Sequence, residues 1–130
     1  MREAVELLRV ERVGHGLTAA RDPEVMALLR DRGIPLEGCP GSNASIGLIS
    51  GFGDYPLRTF LDAGVTLTLN SDDPALFGTS IVQEFRRATA EFSLSAAEAE
   101  AICENAVRVA FLPELQKQRL LKEIEQAMAA

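Results

Sequence analysis

The chain has 130 residues, 47% of them hydrophobic and 25% charged, with 13 Lys and Arg against 19 Asp and Glu for a formal charge of −6. That is a globular composition, and the length admits one domain with a core of its own. A pI near 4.8 gives no counterion-release drive toward a phosphate backbone, so no nucleic-acid partner is expected. No segment approaches the roughly 18 consecutive apolar residues of a membrane span, so no membrane partner is expected either. The opening Met1-Arg2-Glu3-Ala4-Val5-Glu6 lacks a signal peptide's apolar core. Cys39 and Cys103, far apart in sequence, outline no disulfide framework. A reduced, cytoplasmic setting is the expectation.

In chain order, Glu3 to Arg9 reads as the end of a helix, and Val10 to Val13 as a brief strand. Asp22-Pro23-Glu24 is a helix start: Asp caps, Pro suits the first helical position and Glu complements the dipole. Val25, Leu28 and Leu29 recur at helical spacing, Gly33 stops the helix, and Ile34 to Gly38 is an apolar run too short for another. Gly41 to Gly53, with four glycines and three serines, reads as a long loop. Asp54-Tyr55-Pro56 opens a second helix carrying Leu57, Phe60 and Leu61, and Gly64 ends it. Val65-Thr66-Leu67-Thr68-Leu69 is β-branched and alternating, a strand. From there the pattern is helical: Ile81 to Phe92, then a capping box at Ser95-Ala96-Ala97-Glu98 leading to Ile102, Ala106 and Val109. Pro113 separates a last helix with Leu120, Leu121, Ile124 and Met128.

Helices alternating with strands favour a parallel α/β sheet with right-handed crossovers. Three parallel strands make an awkward complete fold, because both faces and both edges need cover. The expectation is a single partial domain: 1–79 as βα units and 80–130 as carboxyl-terminal helices.

The unusual residues follow the strands. They are Gly14-His15-Gly16, with the only histidine, then Cys39-Pro40-Gly41-Ser42-Asn43, then Asn70-Ser71-Asp72-Asp73-Pro74. Active sites of parallel α/β folds assemble at the carboxyl ends of strands, so three polar clusters in equivalent places outweigh any one of them. Each also has a plain structural reading. His15 fits a turn that needs positive φ. Asp72-Asp73-Pro74 fits a helix start. Cys39 fits a small buried side chain. Successive side chains diverge, so two adjacent functional aspartates would have different tasks. A Cys39–His15 nucleophilic pair has no spacing rule behind it. One histidine and a few acids do not by themselves assemble a zinc site, and no phosphate-cradling glycine motif is present.

In combination the clusters are identifiable. Glu11-Arg12-Val13-Gly14-His15-Gly16, Leu36-Glu37-Gly38-Cys39-Pro40-Gly41-Ser42-Asn43 and Leu69-Asn70-Ser71-Asp72-Asp73-Pro74, with Phe77-Gly78-Thr79, closely resemble the adenosine deaminase family. Asn105-Ala106 and Phe111-Leu112-Pro113 resemble that family's carboxyl-terminal helices. The resemblance implies a TIM-type (β/α)8 barrel, of which this chain is the carboxyl-terminal part (about three strands plus terminal helices). It implies zinc-dependent hydrolytic deamination of adenosine, adenine or a related 6-aminopurine. Matched residue by residue, it makes His15 the catalytic histidine that orients and polarises the attacking water. It makes Asp72 a zinc ligand and Asp73 the residue that hydrogen-bonds the purine at N7.

The departures carry as much weight. The family's amino-terminal His-x-His pair, its third metal-binding histidine and its proton-shuttling glutamate have no counterpart here. One zinc ligand is present and the others are expected on a missing amino-terminal barrel segment or a companion chain. Loss of a positioned acid–base group costs on the order of 10²–10⁴ in rate, so the isolated chain is expected to be inactive. The alternative is a non-catalytic binding or assembly module of the same fold, including a homo-oligomer formed through an uncovered strand edge.

Overall fold

Val13–Gly14 (β1), Leu36–Gly38 (β2) and Leu67–Leu69 (β3) form a parallel sheet in the order β1-β2-β3 in the computed structural model, which describes residues 1–129. Ala130, the last residue of the expected helical segment, lies outside the described residues. The register pairs Val13 with Leu36 and Leu36 with Leu67. The helices are Arg2–Glu6 (α1), Pro23–Arg32 (α2), Pro40–Ser45 (α3), Leu57–Asp62 (α4), Pro74–Phe77 (α5), Ile81–Phe92 (α6), Ala96–Val109 (α7) and Glu114–Met128 (α8). Short 3-10 turns occupy Leu17–Arg21 and Phe52–Asp54.

Each strand is shorter than its apolar run, for a physical reason. After α2, Gly33 takes φ 63° and its N–H donates to the Arg30 carbonyl, while the Ile34 N–H donates to Leu29. After α4, Gly64 and Val65 repeat this toward Leu61 and Phe60. The first residues beyond each glycine are thus used to close a helix end, and pairing begins only afterward. Val10 is likewise diverted, its N–H donating to Ala4 at 3.3 Å.

The segment read as a loop from Gly41 to Gly53 starts within a helix instead, with turns and bends over 46–51 and a 3-10 turn from Phe52. Pro40 starts α3 at its first turn, and Pro40 through Asn43 are buried, so tertiary packing overrides the glycine- and serine-rich composition. The helix expected to open at Asp54-Tyr55-Pro56 begins at Leu57, because Asp54 closes the preceding 3-10 turn and Tyr55 is buried. Asp22 caps α2 by accepting from the Glu24 and Val25 N–H groups at 3.0 and 3.1 Å, and the Ser95–Glu98 capping box starts α7.

Leu29, Leu36, Leu57, Phe60, Leu67 and Ile102 form the sealed centre of the core. Burial of each such side chain contributes about 1.5–3 kcal/mol before entropy is charged against it. Helix α7 packs on β3, and the Asn105 amide donates to the Leu67 carbonyl at 3.1 Å. That contact positions α7 along the sheet by direction as well as by area.

Arg58 on α4 binds the junction of α6 and α7. Its guanidinium donates to the carbonyls of Phe92 at 2.8 Å and Ser93 at 3.0 Å and pairs with both carboxylate oxygens of Glu98. The Arg58 guanidinium, helped by the Ser95 N–H and hydroxyl, holds the Glu98 carboxyl down at about 2 from an ordinary 4.5. A depressed acid stabilises the fold above its ordinary range and loses that contribution as pH falls through the folded-state value. The melting-temperature gap between wild type and Glu98→Gln should therefore be constant above pH 4.5 and close toward pH 2. A pH series of thermal melts measures it.

Candidate functional site

The carboxyl ends of the three strands place the polar clusters around one open cleft of about 430 Å³, with His15, Glu37, Cys39, Asn70 and Asp72 in its wall. His15 follows β1 with φ 57°, and Asp72 follows β3 with φ 59°. A non-glycine residue in the left-handed region costs on the order of 1–3 kcal/mol, and His and Asp are among the residues that tolerate it. Here it turns both side chains back across the strand ends. The His15 N–H still donates to the Glu37 carbonyl at 2.9 Å, and Gly16 must be glycine, since a Cβ there would come within 2.5 Å of Leu36. Two strained residues at the ends of β1 and β3, with β2 between them, are thus directed at each other.

They meet. His15 Nε2 lies 3.6 Å from Asp72 Oδ2, with both side chains about 40% exposed to the cleft. Helix α3, which leaves β2 between them, supports both partners. Its Ser42 hydroxyl donates to Asp72 Oδ2 at 2.7 Å, and its Asn43 carbonyl oxygen sits 2.8 Å from His15 Nδ1. The start of α3 is itself braced from α6: buried Glu84 accepts from the Gly41 N–H at 3.1 Å and from the Thr79 hydroxyl at 2.7 Å.

Asp73 diverges from Asp72. Its Oδ1 accepts from the Leu76 N–H at 2.9 Å and caps α5, and the residue is exposed, outside the lining of the cleft. Cys39 is buried beneath the site. Its thiol donates to the Glu37 carbonyl at 3.4 Å, and burial, then the charges of Asp72, Glu37 and Glu84, push it up to about 12. A thiol protonated at neutral pH is a weak nucleophile, which removes the physical basis for a Cys39–His15 pair.

As a donor set, His15, Cys39 and Asp72 bring one ligand atom each to within 4.8 Å of one another. Imidazole nitrogen and carboxylate oxygen suit a borderline divalent ion such as zinc. Of the three, His15 and Asp72 face the open cleft through half-exposed side chains, and Asp72 keeps one oxygen clear of the Ser42 hydrogen bond.

Sequence reasoning named His15, Asp72 and Asp73, and the structure brings the first two together, while Asp73 caps α5 and does not line the cleft. It assigned nothing to Ser42 and Asn43, although both stand in the second strand-end cluster. Glu84 was missed altogether. Its signal was spacing: Glu84, Ala88 and Phe92 fall on one helical face, so a carboxylate sits in an apolar stripe.

The family model described as adenosine deaminase matches residues 1–127. The chain belongs to the adenosine deaminase family. An adenine deaminase of Rhizobium rhizogenes is 41% identical over 122 residues, 94% of this chain and 38% of that protein. An aminodeoxyfutalosine deaminase of Streptomyces coelicolor is 39% identical over 128 residues, 98% of this chain and 33% of its own length. The crystal structure of adenine deaminase from Arthrobacter aurescens superposes with a TM-score of 0.94 at 32% identity, covering 99% of this chain and 39% of that one. The chain thus spans well under half the length of the family members it matches. Its sheet and helices are part of a TIM-type barrel, the fold class expected from the sequence.

Two outcomes follow from the packing beneath this family member's cleft. Gly41→Ala would drive a Cβ into the Glu84 carboxylate. It should lower stability by about 1–3 kcal/mol in urea titrations, the usual cost of overpacking. Alkylation at neutral pH followed by peptide mass mapping should leave Cys39 unmodified in the native chain and modified in urea.

Proposed function

We propose that this chain carries the His15–Asp72 side of a zinc-dependent site that deaminates a 6-aminopurine hydrolytically, water replacing the amino group to give the 6-oxo purine and ammonia. The observation that carries this reading is the 3.6 Å approach of His15 Nε2 to Asp72 Oδ2 above an open cleft, in a chain whose relatives include an adenine deaminase.

In this reading Asp72 is a metal ligand, held in place by the Ser42 hydroxyl. Zinc would supply Lewis acidity, which in favourable sites lowers the pKa of water to about 7. His15 Nε2 lies beside the position of the attacking water, orients it and accepts its proton as the bond to C6 forms. Asp73 takes the purine edge at N7. The division of labour follows from the divergence of the two adjacent side chains: one points at His15, the other outward over α5.

The metal's other ligands and the acid that protonates the leaving amine come from residues outside these 130, on a further barrel segment of the same protein or on a companion chain. The two strand edges left open by β1 and β3 are where such strands would pair. Adenine and aminodeoxyfutalosine deaminases stand at similar identity to this chain. These relatives support a 6-aminopurine as the proposed substrate class.

By itself the chain should show no turnover of adenine or adenosine and no stoichiometric zinc, checked by intact mass, metal analysis and an ammonia-release assay on one preparation. In a preparation completed by the remaining barrel strands, Asp72→Ala should lose zinc. Asp73→Ala should retain zinc and lose substrate binding. His15→Ala should retain zinc and lose on the order of 10²–10⁴ in turnover. Unchanged zinc and turnover in all three variants would overturn the assignment, as would deamination by the 14.0 kDa chain alone.

A further inference from the structure

We propose that Asn43 is the residue that selects the tautomer of His15, fixing the proton on Nδ1 and leaving Nε2 bare as a proton acceptor in the cleft. The inference deepens the role given to His15 and rests on that reading for its catalytic meaning, but its physical content is a property of this chain alone.

A neutral imidazole carries its proton on one nitrogen and a lone pair on the other, and the hydrogen bond made by one decides what the other can do. The Asn43 side-chain carbonyl oxygen can only accept, and it lies 2.8 Å from Nδ1, so the Nδ1–H donates to it. Nε2 then faces Asp72 Oδ2 at 3.6 Å as a second acceptor facing a first. Asp72 Oδ2 is already an acceptor, its hydrogen bond coming from the Ser42 hydroxyl at 2.7 Å. Two opposed acceptors with a cleft beside them are satisfied by a species that gives protons to both, such as water, or by a cation. The opposite tautomer would turn an N–H toward Asp72, close that gap with a direct bond and leave no base.

Asn43 is built to hold this arrangement. It is fully buried, and its backbone N–H donates to the Cys39 carbonyl while its carbonyl accepts from Leu48, both at 2.9 Å. Glu84 clamps the same helical turn through the Gly41 N–H. The Asn43 amide nitrogen, by contrast, has no hydrogen-bond partner among the described residues. A buried amide that leaves a donor unsatisfied is a poor packing residue, and a leucine of similar size would fill the space without that cost. The bond from His15 Nδ1 is what the amide makes in return. The adjacent residue Ser42 holds the other half of the pair, so one turn of α3 sets both the carboxylate and the ring.

The test uses the fact that His15 is the only histidine, so its ring nitrogens are the only imidazole signals in the chain. Long-range proton–nitrogen correlation spectra of the ¹⁵N-labelled chain, recorded at alkaline pH where the ring is neutral, identify the protonated nitrogen directly. Wild type should show a protonated Nδ1 and a bare Nε2. Asn43→Asp, which keeps an acceptor at the same place, should show the same. Asn43→Leu should shift the tautomer ratio roughly tenfold toward the Nε2–H form that free histidine favours, in proportion to the loss of one hydrogen bond. A protonated Nε2 in wild type overturns the proposal, because it means the amide faces the ring with its nitrogen. Loss of the Nδ1–H form in Asn43→Asp overturns it as well. So does an Asn43→Leu chain with native circular dichroism and the wild-type tautomer. If Asn43→Leu does not fold, the wild-type and Asn43→Asp spectra decide. None of these readouts needs metal or turnover, so failure of the deaminase reading and failure of this one are separately visible.

Discussion

The first turn of α3 is the piece on which the cleft depends. Its Gly41 N–H is held from below by the buried Glu84 carboxylate, and its next two side chains reach up to Asp72 and His15. An acid at a helix N-terminus is favourable because the first N–H groups have no partner within the helix. Here that ordinary preference is turned into a rigid mount. Glycine is required at 41 because the carboxylate occupies the space a Cβ would take. The contact therefore couples the α6 helix, whose Ile81 also lines the cleft, to the two groups that define it.

The same mount explains why strained backbone is tolerated at His15 and Asp72. Each is in the left-handed region, and each has its side chain tied to α3 by a short hydrogen bond. Strain of this kind persists where the surroundings over-determine it, and the ends of parallel strands are where α/β folds place their chemistry. Burial beneath the cleft works in the opposite direction on Cys39, keeping its proton in place so that a soft, reactive group is inert packing. The cleft offers one half-exposed imidazole and one half-exposed carboxylate to a ligand above, with the Cys39 side chain buried in its wall.

Around this, the fold is held by contacts that make α7 a lid on β3 and Arg58 a rivet between α4, α6 and α7. The outer strands β1 and β3 each pair with a strand on one side only, and large apolar side chains such as Leu7, Leu8, Ile81 and Val82 stand exposed. These are the properties of one arc of a barrel, in agreement with a TM-score of 0.94 against a chain of which this one covers 39%. The site is open for the same reason that the sheet is.

Much of this was written in local sequence. Asp22-Pro23 and Ser95 through Glu98 announce helix starts because capping is a matter of a few adjacent atoms, and Gly33 and Gly64 announce helix ends because only a left-handed residue closes them that way. The order of helices and strands, and with it the parallel sheet, followed from these signals, as did His15, Asp72 and Asp73 as the residues at the strand ends. Tertiary structure alone decided the rest. It made a helix of a glycine- and serine-rich stretch, since burial of Pro40 to Asn43 outweighs weak propensity. It brought Glu84 under Gly41 and Asn43 beside His15, across 43 and 28 residues of chain, distances at which no local pattern carries information. Sequence therefore determined which groups stand at the ends of the strands; only packing decided which of them touch, and which nitrogen of His15 is left to act.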